Sequence, residues 1–224
     1  MRVWDAELIA KKKELYPVTD GLVFWIDGQD ELYGDHVISG ESPTLYDKAH
    51  MFDRINNVRV NFNGSLGLIA ETPIIKGVYK TGTSTGTSVV RSASDVSGIL
   101  TVEYVYNSPN AFWQFGFEPN SGYITFPKTT AGGSRASLVS GTPCMHLLGK
   151  KSEITGYPLI YVNGVDSTSY IGTASVMSAL SGTVKCDFRW QGRIGCIRLY
   201  NRILSDAEIL QNLEYEKSIG RLVL

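Results

Sequence analysis

Residues 189–217, RWQGRIGCIRLYNRILSDAEILQNLEYEK, read as a buried strand followed by a tight turn and a capped helix. Ile194, Ile197, Leu199 and Tyr200 make the first part too apolar to lie anywhere but against a core on at least one face. Asn201-Arg202 supplies the turn. Ser205 and Glu208 then stand in the S-x-x-E relation, in which each side chain satisfies a backbone N–H at the helix start. This unit is expected to be the closing strand of a β-sheet fold, locked by a short C-terminal helix.

Upstream, apolar runs recur about every ten residues with turn chemistry between them, the pattern of an all-β sandwich or jelly roll. The runs are GLVFWIDG (21–28), RVNFNGSLGLIAE (59–71), ILTVEYVYN (99–107), AFWQFGF (111–117), SGYITFP (121–127), PCMHLLGKK (143–151), PLIYVNGVDSTSY (158–170) and TVKCDFRWQG (183–192). Asn63-Gly64 and Asn163-Gly164 are hairpin signals, because both residues tolerate the positive φ that a tight β-turn demands. Residues 3–15 differ from the rest. Trp4, Leu8 and Leu15 share a helical face, with acids near the start, Lys11, Lys12 and Lys13 near the end, and Pro17 as a stop. The division expected is an N-terminal helical arm over 1–19 and one sandwich domain over 20–224. The arm either packs on its own domain or anchors in a neighbouring subunit through Trp4, Leu8 and Leu15.

The composition agrees with this architecture. The chain has 224 residues, 43% of them hydrophobic, with 23 glycines and 12 tyrosines, which suits many short strands. Lys and Arg total 21 against 22 Asp and Glu, so no net charge steers it to nucleic acid or an anionic membrane. Cys144, Cys186 and Cys196 lack metal-ligand spacing and are expected to be free thiols, with a Cys186–Cys196 pair on adjacent strands left open. The N-terminus carries no apolar run of signal-peptide length, and no membrane span follows.

Four segments resemble the laminin G-like, concanavalin A-like jelly-roll family: GLVFWIDG, VNFNGSLGLI, PLIYVNGV and WQGRIGCIRLYNRILSDAEI. They follow the family's order from one end of the chain to the other, and the last is the most specific. The resemblance implies two stacked antiparallel sheets and a fold that commonly binds glycans or proteins. It also implies that Trp190 is a core residue. Where the family has an acidic pair in the closing strand, this chain has Gly195 and Cys196.

Chemistry is harder to find. Glycosidases need two carboxylates flanking one bond, and no E-x-D-x-x-E run occurs. Glu103 is alone in its strand and is expected to face solvent. His36, His50 and His146 are scattered, no G-x-S-x-G elbow is present, and His146 reads as structural. The protein is therefore expected not to be an enzyme and to carry no metal or other cofactor. Calcium held by scattered carboxylates and carbonyls has no spacing signature and stays open.

Aromatic residues offer a binding surface instead. Sugars stack their C–H faces on aromatic rings, and the candidate set is Tyr104, Tyr106, Trp113 and Tyr123, with Asn107 and Gln114 to hydrogen-bond hydroxyls. A recognition fold without an export signal suits a bacteriophage particle, whose proteins leave the cell by lysis. The leading expectation is thus a structural or adhesion protein of a virion tail or surface assembly. Its partners would be other virion proteins, copies of itself or a host surface glycan. A stand-alone carbohydrate-binding module, extracellular after loss of a leader, is the alternative. A glycoside hydrolase or lyase stands third.

Overall fold

A computed structural model describes residues 15–34, 36–38, 45–47, 49–64, 66–79, 87–91, 96–107, 112–118, 123–127, 133–135, 145–171, 179–188 and 193–222. Strands dominate. The first third holds β1 (Leu22–Asp27), β2 (His36–Ile38), β3 (Leu45–Asp47), β4 (His50–Phe52), β5 (Arg59–Gly64), β6 (Leu66–Glu71) and β7 (Ile74–Tyr79). Next come β8 (Thr87–Arg91), β9 (Val96–Ile99), β10 (Thr101–Asn107), β11 (Phe112–Glu118), β12 (Tyr123–Pro127) and β13 (Gly133–Arg135). The last third holds β14 (Met145–Lys151), β15 (Pro158–Val162), β16 (Val165–Asp166), β17 (Ser169–Ile171), β18 (Leu180–Phe188), β19 (Arg193–Tyr200) and helix α1 (Asp206–Ser218).

The strands form a ten-stranded sheet in the order β16-β15-β14-β10-β19-β7-β6-β3-β2, with β1 also paired to β19. A seven-stranded sheet runs β12-β11-β18-β8-β5-β4, with β9 on β18, and β13 pairs β17 separately. The two large sheets face each other. Phe24, Ile26, Val102, Tyr104, Ile197 and Leu199 of the first pack in one cluster with Met51, Val60 and Phe62 of the second. The class is therefore the expected all-β antiparallel sandwich. The helix foreseen over 3–15 lies outside the described residues but for Leu15, which is non-helical. No helix among the described residues is long and apolar enough to cross a membrane.

The strand in 189–217 is buried on both faces, because a third layer covers it. Ile194, Ile197 and Leu199 point into the sandwich, while Cys196, Arg198 and Tyr200 lie under α1. The capping box is formed: Glu208 N donates to Ser205 Oγ at 3.3 Å and Ser205 N donates to Glu208 Oε2 at 2.8 Å. Arg202 grips the same carboxylate, and that contact, with the Ser205 bonds, holds Glu208 down at about 2.

The two Asn-Gly signals behave differently. Asn163 and Gly164 have φ of 51° and 79°, and Val162 pairs with Val165, which makes a two-residue hairpin. Asn63-Gly64 is not a hairpin turn. The strand it ends, β5, pairs with β4 and β8 in the smaller sheet, whereas β6 belongs to the larger one. The chain changes sheets there. Cys196 is a buried free thiol, and Cys186 sits on β18 in the other sheet, so the two are not on adjacent strands.

Candidate functional site

The outer face of the ten-stranded sheet carries a chain of buried charges beneath α1. Glu103 of β10 accepts from His146 at 2.7 Å, Arg198 at 3.1 Å, Tyr200 at 3.1 Å and Asn212 at 2.8 Å. Arg198 reaches on to Glu216 of the helix, and Glu216 accepts from Arg221 at 2.8 Å. Arg221 also donates to Asp27 of β1 and, at 2.8 Å, to the Pro73 carbonyl. Asp27 in turn accepts from Trp25 Nε1 at 3.0 Å and Arg54 at 3.3 Å. Glu103 is thus fully buried, contrary to its expected solvent-facing position, because the third layer turns the outer face of β10 into a second interior. His146 is buried within this network and hydrogen-bonded to Glu103.

Charges sealed this way face no substrate. Their arrangement anchors the helix and the segment after it to the sheet. Burial alone would raise the Glu103 carboxyl, but Arg198, His146 and Tyr200 outweigh it and hold the group at about 2, against an ordinary 4.5. The unfolded chain then takes up a proton in acid before the folded one does. Its contribution, about 3 kcal/mol from the size of the shift, is complete above pH 4.5 and lost as pH falls toward about 2. Urea melts over this range are expected to show falling stability, and Glu103→Gln to flatten the slope.

The candidate residues chosen for stacking are divided by the fold. Tyr104 is only 4% exposed, in the core between the sheets, and leaves the set for that reason. Tyr106 and Asn107 lie on β10 opposite Ile194 and Arg193 of the larger sheet. Trp113 and Gln114 lie on β11 opposite Phe188 and Asp187 of the smaller sheet, and Tyr123 lies on β12 opposite Gly116. Sequence proximity of β10 to β11 therefore does not make one platform. Of the arm residues, Trp4 and Leu8 lie outside the described residues, as does Trp190, and Leu15 is 46% exposed.

A different aromatic surface is present on the edge of the seven-stranded sheet. On β4, Met51 points into the core and its neighbours His50 and Phe52 point outward, as alternation requires. Across from them on β5 stand Asn61 and Arg59, flanking the buried Val60. Tyr33 bridges to His50 on the other side. The Tyr33 and His50 rings lie 5.5 Å apart and 22° from parallel. Phe52 stands at 79° to both, at 5.8 and 5.9 Å. Tyr33 is 40% and Phe52 39% exposed. Polar groups frame these rings: Tyr33 OH donates to Glu31 at 2.8 Å, and Arg59 Nε donates to Asn61 Oδ1 at 2.7 Å. The Glu31 carboxylate keeps the Tyr33 hydroxyl above its ordinary value.

This surface was missed in the sequence because Tyr33 and Phe52 belong to separate short segments with no common period. A groove of about 470 Å³ lies beside α1 and is lined by Tyr16, Trp25 and Gln211 among others. Its acids Asp20 and Glu208 are held by Arg202, and Gln211 by the Tyr16 carbonyl. Among the described residues no group of three or more His, Cys, Asp or Glu side chains is placed to hold a metal ion.

The fold and this exposed edge define an antiparallel β-sandwich with an aromatic surface. No family model matches the chain, and no curated protein matches its sequence. Solved structures do match. A Trypanosoma rangeli sialidase in complex with sialic acid is similar over 98% of this chain, with 14% identity and a TM-score of 0.54. The same organism's sialidase with a difluoro-nononic acid matches over 97%, at 14% identity and a TM-score of 0.56. Domain 4 of a Geobacillus stearothermophilus GH43 arabinanase, in complex with arabinotriose, matches over 72% of this chain and 91% of its own, with 14% identity and a TM-score of 0.45. The chain spans 38% of the length of the sialidases.

The sialidase matches correct the expectation that the protein is not an enzyme. Nearly all of this chain has a counterpart in fold within proteins that are sialidases, of whose length it spans 38%. The likeness itself is one of fold.

Proposed function

We propose that the chain recognises carbohydrate through Tyr33, His50 and Phe52, as one domain of a protein that processes or attaches to glycans. One observation carries this reading: three aromatic rings share an outward sheet edge, two of them well exposed, with hydrogen-bonding side chains fixed beside them. Aromatic faces attract the slightly positive C–H groups of a pyranose, while Asn61, Arg59 and Glu31 offer partners for hydroxyls. The bonds within the rim, Tyr33 to Glu31 and Arg59 to Asn61, preorganise it and reduce the ordering cost on binding. The fold's likeness to a sialidase holding sialic acid makes sugars the first ligand class to test.

Glycan-array binding followed by titration calorimetry is the test. Phe52→Ala is expected to weaken binding about tenfold, as truncation of a central aromatic anchor costs over about 1 kcal/mol. An array without signal, or an unchanged Phe52→Ala affinity, would overturn the reading.

A finer proposal places the domain in the tail or surface of a bacteriophage particle, docked to virion proteins or to copies of itself through Trp4, Leu8 and Leu15. The exposure of Leu15 and Tyr16 supports a contact at that end of the domain. Mass measurement in solution, with and without residues 1–14, tests it: an unchanged assembly state and unchanged particle incorporation would remove the docking role.

A further inference from the structure

The groove beside α1 lies where residues 1–14 join the domain. Tyr16, Pro17, Val18 and Trp25 make its apolar wall, and Glu208 and Gln211 of α1 make the other. Residues 16–18 are fixed from the far end of the sequence. Val18 N donates to Asn212 Oδ1 at 2.7 Å, and Tyr200 OH donates to the Val18 carbonyl at 3.2 Å. Gln211 Nε2 donates to the Tyr16 carbonyl at 3.0 Å. Pro17 and Val18 are buried, whereas Leu15 and Tyr16 are 46% and 61% exposed. Residues 1–14 therefore leave the domain from the rim of the groove. Independently of the carbohydrate reading, we infer that the groove takes these residues of the same chain, with Trp4 and Leu8 as its anchors.

A segment tethered at the rim is present at an effective concentration on the order of millimolar, so weak contacts suffice to seat it. Its charge suits the site. Lys11, Lys12 and Lys13 stand within five residues of Tyr16, and in any conformation Lys13 lies within about 11 Å of it. There Asp20 and Glu208 share one guanidinium, that of Arg202, which leaves one carboxylate in excess. Its apolar content suits the site too. Trp4 and Leu8 stand four residues apart, the spacing of one helical face, and helices dock in grooves through such anchors. A sugar is a poorer occupant. The Arg54 and Arg198 guanidiniums already lie over the Trp25 ring, at 4.3 and 5.0 Å from its centre, where a pyranose would have to stack. An assembly partner that binds Trp4 and Leu8 must draw the arm out of its own groove, so docking between copies would be an exchange of arms.

The experiment is disulfide trapping in the full chain. Ile9→Cys, next to Leu8, is paired with Gln211→Cys on the α1 wall, in a background carrying Cys144→Ser and Cys186→Ser. Mild oxidation of the dilute chain is expected to give a bonded monomer, identified by mass without reductant. Adding Trp4→Asp, which removes an anchor but not the tether, is expected to slow the bond at least about tenfold. A bonded dimer in place of the monomer would give the groove to a second copy and overturn the inference. So would a monomer bond that forms equally fast with Trp4→Asp, because proximity along the chain would then explain it. No bond at all would overturn it as well. Amide exchange in the otherwise unaltered chain, with and without residues 2–13, gives a second reading that needs no cysteine. Thr19 and Asp20 are expected to exchange faster in the shortened chain, and unchanged rates would count against the docked arm. Glycan binding is read separately, so a failed trap with binding kept overturns this inference alone.

Discussion

Arg198→Ala lowers the stability of the domain by about 3–5 kcal/mol, the usual cost of stranding a buried partner of an ion pair. Arg198 is fully buried and bonds Glu103 of β10 with one guanidinium nitrogen and Glu216 of α1 with another. Removing it leaves two carboxylates with fewer donors, in an interior where water cannot replace them. The guanidinium also lies 5.0 Å from the centre of the Trp25 ring and 5.3 Å from that of Tyr215, so packing is lost as well as charge. Arg198→Lys is expected to recover only part of the loss, because an ammonium cannot present a planar fork to two separate carboxylates. Urea denaturation with a constant slope measures both variants. A loss below about 1 kcal/mol for the alanine variant would mean that the helix is held by its apolar contacts alone.

The second large effect is expected at Arg221. After α1 the chain turns at Gly220, whose φ is 79°, and sends the Arg221 side chain back into the sheet. It passes over Gly195, where a Cβ would lie 2.7 Å from Arg221 Cδ and 2.9 Å from Val105 Cγ1. Its nitrogens then meet Asp27, Glu216 and the Pro73 carbonyl. Arg221→Ala strands two buried carboxylates and is expected to cost about 3–5 kcal/mol. Gly195→Ala forces the side chain aside and is expected to cost about 1–3 kcal/mol, the range for overpacking. The two losses should not add. Once Arg221 is truncated, the new Cβ keeps only its clash with Val105, so the double variant is more stable than the sum predicts. Additivity within about 0.5 kcal/mol would separate Gly195 from the arginine.

The part of the fold written in local spacing was legible. Alternating apolar residues, the S-x-x-E box at Ser205 and the Asn163-Gly164 turn each need only their immediate neighbours, and each is formed. Asn63-Gly64 carries the same local preference as Asn163-Gly164. Which sheet the next strand joins is a long-range choice that a dipeptide does not encode. Glu103 failed for a related reason. TVEYVYN reads as a half-buried strand with its polar side in water, and its cover comes from Asn212 and Glu216, more than a hundred residues later. Gly195-Cys196 stood out only against the acidic pair of the family that the sequence resembles. Its cause was hidden, because the residue that needs the missing Cβ is Arg221. The aromatic surface was the least legible feature. Tyr33 and Phe52 meet only because a bridge sets Tyr33 beside the edge strand β4.

The position of β19 has a consequence for how the protein is made. It is the last of the described strands in chain order, yet it lies inside the larger sheet, with β10 on one side and β1 and β7 on the other. Until residue 200 has left the ribosome, the sheet has a gap at its centre, and β1 and β10 each present an unpaired apolar edge. Such edges are templates for wrong pairing, and contacts between residues so far apart in sequence form slowly. The nascent domain thus remains open to aggregation until that strand emerges. Slow elongation over residues 100–200 would prolong that exposure.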